Sequence, residues 1–500
     1  MENIKKDKEN EEQNKFEKYK NEQEKIINNK KENDIYLKDY LKFKKEFLRI
    51  ELVLGVKFSK NDTSKFVKIL KAFKPPYKNL NPIKHSKDSN ENIYLTKFNY
   101  NEKNILENDI LNIDKNKELK KSDKFEIVNE QIQLNINNYT YDDIFKFFIE
   151  EEKYNKKLTE NDEAISELLK SIPNGFEIIG KIAHFNLREQ YLKYKYFIGQ
   201  LVLDKNPSLS TVVNKVGKIE KVYRTYEKEI LAGEENYNVE HKEGNIKFKF
   251  DLRKTYWCSR LQNERDRVLN LMKNNEVLCD AFCGVGPLAL RACKKGVNVY
   301  ANDLNPDAFE YLNNNIKLNK LDKGNNIIKT YNMDAREFIK SLVNLSKENI
   351  DEDEENPDKI FPVDLHIDHI YMNLPKDAIE FMDIFVGLFK GCKNNVYNKN
   401  NLPIIHVYGF AKVNDQPYEQ LKKRIAKAFK MKYELFKNEC EKEIINIENV
   451  RDISNKKMVY CIDIKIPAIV AFGDYTLLEE KEEKEENKED EEEEEDDDEK

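Results

Sequence analysis

The stretch from residue 276 to residue 320 constrains the fold of this chain most strongly. A short apolar run, Glu276–Asp280, ends in a carboxylate and is followed by a turn that contains Gly284 and Gly286. A helix of small residues comes next, and a second apolar run leads to Asp303. This order of strand, glycine turn, helix, strand and acid is typical of half of a nucleotide-binding βαβ unit. Glycines let the backbone approach a ligand closely, and Asp303 is placed to accept both hydroxyls of a ribose.

The glycine turn does not by itself identify the ligand. The segment from Gly284 to Ala289 fits the dinucleotide fingerprint, with alanine as the third small residue. A dinucleotide and S-adenosylmethionine are both compatible with it, and a tight turn without a ligand is the structural alternative. The choice depends on residues further along the chain.

Polar residues follow four successive apolar runs of the predicted sheet. They are Asp280, Asp303, Asp334 and Asn373. Because the carboxyl ends of parallel strands share one edge, we expect these side chains to surround one ligand. Asp334 can accept a hydrogen bond from an adenine amino group, with the Ala335 amide facing the ring. Helix capping would explain one of these acids but poorly explains the whole set.

Hydrophobic periodicity predicts an α/β chain with several further elements. Helices are predicted at Tyr139–Leu158, Asp162–Leu169, Leu192–Asp204, Ala378–Phe389 and Gln416–Phe429. Strands are predicted at Glu126–Leu134, Phe176–Ile182, Ser210–Val216, Val297–Ala301, Ile327–Tyr331, His369–Met372, Ile404–Phe410 and Val459–Ile466. Residues 78–125 are Asn/Lys-rich and are predicted to be a loop insertion, as is the acidic segment 344–359.

Charge is distributed unevenly along the chain. The net charge of -7 includes -13 from residues 479–500, so the preceding 478 residues carry +6. The acidic block is expected to be a disordered tail, and the mildly basic body permits a polyanionic partner. Basic and aromatic residues interleave over residues 218–228. This pattern is typical of a surface that binds phosphates and stacked bases, and it is equally compatible with an ordinary solvated strand face.

Other classes of protein are disfavoured by what the sequence lacks. No window approaches the ~18 apolar residues of a membrane span, and the N-terminus resembles neither a signal nor a transit peptide. The seven cysteines include no CxxC pair, so reduced thiols in the cytoplasm or nucleus are expected, with a mitochondrial pool left open. No metal cluster stands out, and the scattered histidines are interpreted as structural or incidental: His184, His366, His369 and His406.

Several motifs in order resemble one known family. They are HFNLREQY, Arg224 with EILAGE, TYWCSRLQNER, DAFCGVGP, NDLNPDA, NMDARE and MNLPKDA. Over about Ile172–Pro467 the chain resembles the archaeal/eukaryotic tRNA (guanine-37-N1)-methyltransferases. The Asn-Leu-Pro segment is the most discriminating, because methyltransferases that act on exocyclic amines usually have Asp/Asn-Pro-Pro-Tyr/Phe there.

The resemblance implies a Rossmann-like class I methyltransferase domain at residues 256–475, with S-adenosylmethionine as donor and tRNA guanine 37 as acceptor. It also implies an α+β RNA-binding domain at 159–255, which a small N-terminal module at 35–158 precedes. Residues 1–34 and 476–500 are expected to be disordered ends. Nothing indicates more than a monomer.

The resemblance also implies roles for individual residues. Glu264 would be the general base, and Arg224 would neutralise charge on the guanine O6. The implied cofactor contacts are Arg265, Asp280, Gly284, Gly286, Asp303, Leu304, Asp334, Ala335 and Asn373. The implied substrate contacts are Tyr256, Asn373 and Pro375.

Other interpretations stay open from the sequence. Glu264 alone would more simply form an ion pair with Arg267 or Arg260 on one helix. A relative that transfers the aminocarboxypropyl group of the same cofactor to a modified guanine would be expected to lack the Glu264/Arg224 pair. A tRNA-binding protein with a decayed site, and a dinucleotide oxidoreductase, are disfavoured by the intact acids and the Asn-Leu-Pro segment.

Overall fold

The computed structural model describes residues 34–85, 90–113, 124–155, 162–217, 223, 225–347, 365–413, 415–454 and 457–473. The described chain divides into two compact units. The first holds the described residues up to Glu177 together with Ile182–Lys215 and Glu229–Glu235. The second holds Ile178–Lys181, the described part of Val216–Lys228 and the described residues from Asn236 onward. The predicted disordered ends lie outside the described residues except Asp34, as does most of the 344–359 segment.

The first unit combines an antiparallel sheet with helices. Its helices are α1 (Ile35–Glu46), α2 (Thr63–Leu70), α3 (Lys103–Ile113), α4 (Tyr141–Tyr154), α5 (Asp162–Lys170) and α6 (Lys195–Lys205). Its first sheet has the order β2-β3-β1-β4, from β1 (Arg49–Ser59), β2 (Ile83–His85), β3 (Glu91–Leu95) and β4 (Phe125–Leu134). The predicted division between 35–158 and 159–255 stays a prediction.

The prediction of a loop insertion over residues 78–125 is wrong for its described part. Strand β3 pairs with the central strand β1, with Leu95 opposite Gly55, and α3 follows it. Tyr94 and Leu95 are buried. The error has a compositional cause, because most of the described Asn and Lys residues of this segment are exposed and lie between a few buried apolar ones.

Four short strands come next along the chain. They are β5 (Glu177–Ile179), β6 (Ile182–Phe185), β7 (Thr211–Val216) and β8 (Glu227–Gly233). Strands β6 and β7 pair in parallel, with Ile182 opposite Thr211. A 3₁₀ helix, Glu189–Tyr194, precedes α6, so the predicted helix Leu192–Asp204 begins three residues later than expected.

The second unit contains a hairpin and a seven-stranded sheet. Its strands are β9 (Asn238–Glu243), β10 (Ile246–Asp251), β11 (Val277–Asp280), β12 (Asn298–Asn302), β13 (Ile328–Tyr331), β14 (His369–Met372), β15 (Ile404–Lys412), β16 (Ile444–Ser454) and β17 (Lys457–Lys465). Its helices are α7 (Gln262–Leu271), α8 (Ala289–Lys295), α9 (Pro306–Leu318), α10 (Ala335–Asn344), α11 (Pro417–Ala428), α12 (Tyr433–Glu439) and α13 (Ala468–Phe472).

The large sheet has the order β13-β12-β11-β14-β15-β17-β16. The first five strands of this order are parallel, and β17 is antiparallel to both of its neighbours. The connection order reverses between β11 and β14, and ligands of open α/β sheets bind at the carboxyl ends of strands at such a switch point. The predicted α/β class and the parallel strands at 276–372 are therefore confirmed.

Two predicted elements near this sheet differ from the structure. Residues 378–389 form a short 3₁₀ helix, Glu380–Phe385, within turns rather than the predicted α-helix. Strand β16 was not predicted, because its alternation is interrupted by three register irregularities against β17. None of the helices among the described residues has the length and apolar character to cross a membrane.

Candidate active site

The turn after β11 presents a buried carboxylate and an open backbone position. Asp280 is 1% exposed, and its Oδ1 atom has no hydrogen-bond partner among the described residues. Burial and the nearby Asp303 carboxylate raise the pKa of Asp280 well above its usual range. Gly284 has φ +55°, and no described atom lies within 4 Å of the position that a Cβ would occupy. The turn therefore offers both a polar acceptor and space for a ligand.

Gly286 has a packing role that the sequence did not predict. It has φ +88°, and a Cβ there would collide with the side chains of Leu290 and Leu312. This glycine therefore allows α8 and α9 to pack closely beneath the turn. The ligand contact predicted for Gly286 stays a prediction.

The carboxylate of Asp303 lies directly beside the glycine turn. Its Oδ2 atom accepts a hydrogen bond from the Gly284 amide at 2.7 Å, and its Oδ1 accepts one from the Asn305 amide at 2.9 Å. Burial raises its pKa, and these two amides partly offset the effect. Each carboxylate oxygen can accept a further hydrogen bond, so the geometry is compatible with the predicted ribose contact. Leu304, which follows, is 47% exposed.

Asp334 occupies the end of β13 and the start of α10. Its Oδ1 atom accepts a hydrogen bond from the Arg336 amide at 2.8 Å, so it does cap the helix, as the alternative interpretation expected. The side chain is exposed at the carboxyl edge, while Ala335 is buried. The predicted adenine contacts of these two residues stay predictions.

The Asn-Leu-Pro segment follows β14 at the same edge. Asn373 donates from Nδ2 to the hydroxyl of Tyr371 at 2.9 Å. The carbonyl of Leu374 accepts hydrogen bonds from the amides of Asp377 and Ala378 at 2.9 and 2.8 Å. The segment, with the partly buried Pro375 at its centre, is therefore held in a fixed turn.

Glu264 lies in the first turn of α7 and is 7% exposed. Arg267 donates to both of its oxygens, each at 2.8 Å, so the ion pair expected on one helix is present. A third donor comes from the sheet, because the hydroxyl of Tyr408 donates to Oε1 at 2.7 Å. Three donors fix the orientation of this buried carboxylate, which is what a positioned general base requires.

Two tyrosines join Glu264 to the Asn-Leu-Pro segment. The rings of Tyr408 and Tyr371 meet edge to face, with centroids 5.4 Å apart, and their hydroxyls share a hydrogen bond. Tyr371 also accepts from Asn373. The sequence analysis missed both tyrosines, although each one interrupts an apolar strand, which is the signal that could have revealed them.

Arg265 is buried in an ion pair rather than placed at the open edge. Its Nε donates to Glu243 Oε1 at 2.8 Å, and its Nη2 donates to the Cys258 carbonyl at 3.2 Å. Arg291 joins the same carboxylate at 3.0 Å. The predicted cofactor contact of Arg265 is not among these interactions. The described contacts instead show that Arg265 ties α7 to the hairpin of β9 and β10.

The predicted substrate contact Tyr256 is 44% exposed. Arg451 of β16 donates from Nη2 to its hydroxyl at 3.5 Å, and Tyr226 interacts with it electrostatically. Arg224 lies outside the described residues, so its role on guanine O6 stays a prediction.

Two of the histidines are not incidental. The Nδ1 atom of His369 and the Nε2 atom of His406 are 3.0 Å apart, and both rings are buried. The two residues are therefore part of the buried interior, which agrees with the structural alternative of their interpretation. They lie on neighbouring strands, β14 and β15, which sequence spacing alone did not reveal.

The strand order and the polar residues at the carboxyl edge define a Rossmann-like class I methyltransferase domain. The TRM5/TYW2 methyltransferase domain family matches residues 239–351, and the TYW2 N-terminal domain family matches residues 160–236. The class that the sequence resemblance implied is thus confirmed by the fold and by the family match.

Comparison with similar proteins identifies one family within this class. A tRNA (guanine(37)-N(1))-methyltransferase of Schizosaccharomyces pombe is 39% identical over 318 residues, which cover 60% of this chain and 70% of the relative. The enzyme of that name from Candida albicans (strain WO-1) is 37% identical over 383 residues, which cover 69% and 82%. The crystal structure of Trm5b from Pyrococcus abyssi is 26% identical, with a TM-score of 0.54 over 83% of this chain and 99% of that chain. The chain therefore belongs to the tRNA (guanine(37)-N(1))-methyltransferase family.

Proposed function

We propose that this protein transfers the methyl group of S-adenosylmethionine to N1 of guanine 37 in tRNA. The observation that carries the proposal at the level of residues is the link between Glu264 and Asn373 through Tyr408 and Tyr371. This link fixes the carboxylate relative to the segment that distinguishes N1 methylation from methylation of exocyclic amines.

The residues after β11 and β12 fit S-adenosylmethionine. The open position beside Gly284 and the paired Asp303 carboxylate suit a ribose. The unpartnered Oδ1 of the buried Asp280 suits a donor such as the ammonium group of the methionine portion. When bound, this cofactor supplies a methyl group already activated by its sulfonium. The residues that would hold it are Asp280, Gly284, Asp303, Leu304, Asp334 and Ala335.

Glu264 supplies the base that guanine N1 requires. N1 carries a proton and is a poor nucleophile until that proton is removed, and a positioned carboxylate contributes about 10²–10⁴-fold to such a step. The Glu264 oxygens are held by three donors, so the carboxylate is oriented before the substrate arrives. Loss of the N1 proton moves negative charge to O6, where the Arg224 guanidinium would stabilise it.

The exposed Tyr256 provides a surface for the target base. A base stacked in the anticodon loop has to leave its stack before its N1 reaches a buried carboxylate, and aromatic side chains support such flipped bases. Arg451 holds the tyrosine hydroxyl from β16. All these described residues lie in the second unit of one chain, which supports action as a monomer.

One observation favours a second candidate function. The match of residues 160–236 to the TYW2 N-terminal domain family raises the transfer of the aminocarboxypropyl group to a modified guanine 37. The presence of Glu264 beside the Asn-Leu-Pro segment argues for methylation, because a relative that transfers the aminocarboxypropyl group would be expected to lack the Glu264/Arg224 pair.

Two differently labelled donors separate the two functions. The protein is incubated with tRNA that has guanine 37 and with S-adenosylmethionine labelled in the methyl group or, separately, in the carboxyl group. Methyl transfer incorporates the first label and not the second. Incorporation of the carboxyl label alone, on unmodified or modified tRNA, would show that the protein is an aminocarboxypropyl transferase.

A further inference from the structure

One face of the large sheet carries polar residues at every second position of three neighbouring strands. They are His369 and Tyr371 of β14, His406 and Tyr408 of β15, and Cys461 and Asp463 of β17. The opposite face of the same strands is apolar and belongs to the main core. Buried polar groups destabilise a fold unless they are hydrogen bonded, so this layer calls for an explanation beyond packing.

Three of these side chains and Glu276 form a continuous line of contacts. Asp463 Oδ1 lies 2.6 Å from His406 Nδ1, and His406 Nε2 lies 3.0 Å from His369 Nδ1. His369 Nε2 lies 3.1 Å from Glu276 Oε2. Both histidines and Asp463 are at most 4% exposed, whereas the Glu276 side chain is 23% exposed. The line therefore runs from the interior to the protein surface.

The inner end of the line reaches Glu264. Arg267 donates from Nη1 to Asp463 Oδ2 at 2.7 Å while its Nε and Nη2 atoms hold Glu264. One guanidinium is thus shared between two carboxylates. We call Arg267, Asp463, His406, His369 and Glu276 the polar chain.

The number of ring protons that the three contacts require gives the His406–His369 pair a positive charge. Each of the three contacts that involve His406 and His369 needs one proton between its two atoms, because carboxylates and bare ring nitrogens only accept. Two neutral imidazoles carry one ring proton each, so they can form only two of the three contacts. When all three contacts are formed, the pair carries a third proton and one positive charge between the carboxylates of Asp463 and Glu276.

Some of the groups that face the two imidazoles favour a neutral ring, and others favour a protonated one. Burial and the neighbouring His406 lower the pKa of His369, and the opposing effects of Glu276 and Asp368, which precede β11 and β14, only partly offset this shift. On the β17 side the Asp463 carboxylate faces His406, and Arg267 of α7 contacts that carboxylate. The third proton is therefore shared by the two rings rather than assigned to one of them.

We propose that the polar chain positions Glu264 and that release of the third proton from the His406–His369 pair makes Glu264 a stronger base. The inference rests on the proposed function, in which Glu264 accepts the N1 proton. When the pair loses one positive charge, the negative charge of Asp463 is less neutralised, and Asp463 attracts the shared guanidinium of Arg267 more strongly. The hydrogen bonds from Arg267 to Glu264 then weaken, and the Glu264 carboxylate binds a proton more readily.

The first test changes the exposed end of the polar chain. Glu276→Gln removes a negative charge that stabilises the third proton, so this proton should leave at lower pH. We expect the rise of kcat with pH, measured with guanine-37 tRNA from about pH 5 to about pH 9, to shift by about 1 unit toward lower pH. The KM values should not change. Glu310→Gln, on the exposed surface of α9, is the matched control and should keep the parent profile.

A profile of Glu276→Gln that superimposes on that of the parent would overturn the inference. His369→Gln should remove the pair's pH step while Glu264 remains, so its kcat profile should lose the same inflection. A variant that lowers kcat uniformly at all pH values would indicate a merely structural role and would also overturn it.

The second test does not depend on turnover. Nitrogen-15 NMR of the full chain, labelled at its six histidines, should show three ring protons on the His406–His369 pair at low pH and two at high pH. Two protons throughout the range, in a protein that methylates guanine 37, would overturn the inference and leave the proposed function intact. If Glu264→Gln turns over normally, the assignment of Glu264 as the base and the positioning role of the polar chain fail together, whereas methylation of guanine 37 and the NMR titration of the pair would still be present.

Discussion

The two glycines of the turn after β11 should respond to the same substitution to different degrees, in fold stability and in cofactor affinity. Both have a left-handed φ, which costs a residue with a Cβ about 1–2 kcal/mol. At Gly284 the added methyl group meets no described atom within 4 Å. At Gly286 it meets Leu290 and Leu312, and such overpacking costs about 1–3 kcal/mol more. Gly286→Ala should therefore destabilise the fold by about 2–5 kcal/mol, and Gly284→Ala by about 1–2 kcal/mol.

Cofactor affinity should follow the reverse order. The methyl group of Gly284→Ala would occupy the space beside Asp303 in which we place the ribose. Loss of one hydrogen bond to a charged group, worth about 1.5–3 kcal/mol, raises Kd by about 10- to 100-fold. Gly286→Ala should bind S-adenosylmethionine with nearly the parent affinity once it is folded. Calorimetric titration and thermal unfolding measure the two effects, and unchanged binding by Gly284→Ala would refute the placement of the cofactor.

Three further predictions concern the buried carboxylates. Glu264→Gln should keep S-adenosylmethionine binding and lower kcat by about 10²–10⁴-fold, measured under saturating substrates; normal turnover would show that another group is the base. Arg265→Ala should leave Glu243 buried and uncompensated and lower the free energy of unfolding by about 3–5 kcal/mol, which denaturant titration can check. His406 and Arg267 lower the pKa of Asp463 to about 2. The ionised Asp463 therefore contributes about 2 kcal/mol to the free energy of unfolding above pH ~4, and this contribution is lost as pH falls toward ~2. Asp463→Asn should therefore unfold more easily than the parent at neutral pH, with a difference that narrows in acid; a difference that is constant with pH would contradict this origin.

The sequence was sufficient for the parts of the site that depend on local pattern. Asp303 follows a glycine turn and an apolar strand, and Asn373 opens the Asn-Leu-Pro segment, so both could be assigned to the edge of a parallel sheet. Their positions follow from strand direction, which the alternation of strands and helices fixes. Strand β14 was predicted with its observed bounds, His369–Met372.

The contacts that depend on pairing between distant segments could not be predicted. Tyr408 and Glu264 are 144 residues apart, and nothing in either segment shows that α7 lies over that face of β15. Arg265 illustrates the same limit, because its partner Glu243 comes from a hairpin whose docking is set by packing. Local pattern shows that a residue is buried or exposed, whereas its partner is decided by the register of whole elements.

The identity of the methylated atom is the most direct test of the proposed methylation of guanine 37. Two tRNA transcripts that differ only in guanine or adenine at position 37 are incubated with the protein and with S-adenosylmethionine labelled in its methyl group. We expect label in the guanine transcript alone, recovered after nuclease digestion as 1-methylguanosine. Label in neither transcript, equal label in both, or methylation at another atom of guanine would contradict the proposed function.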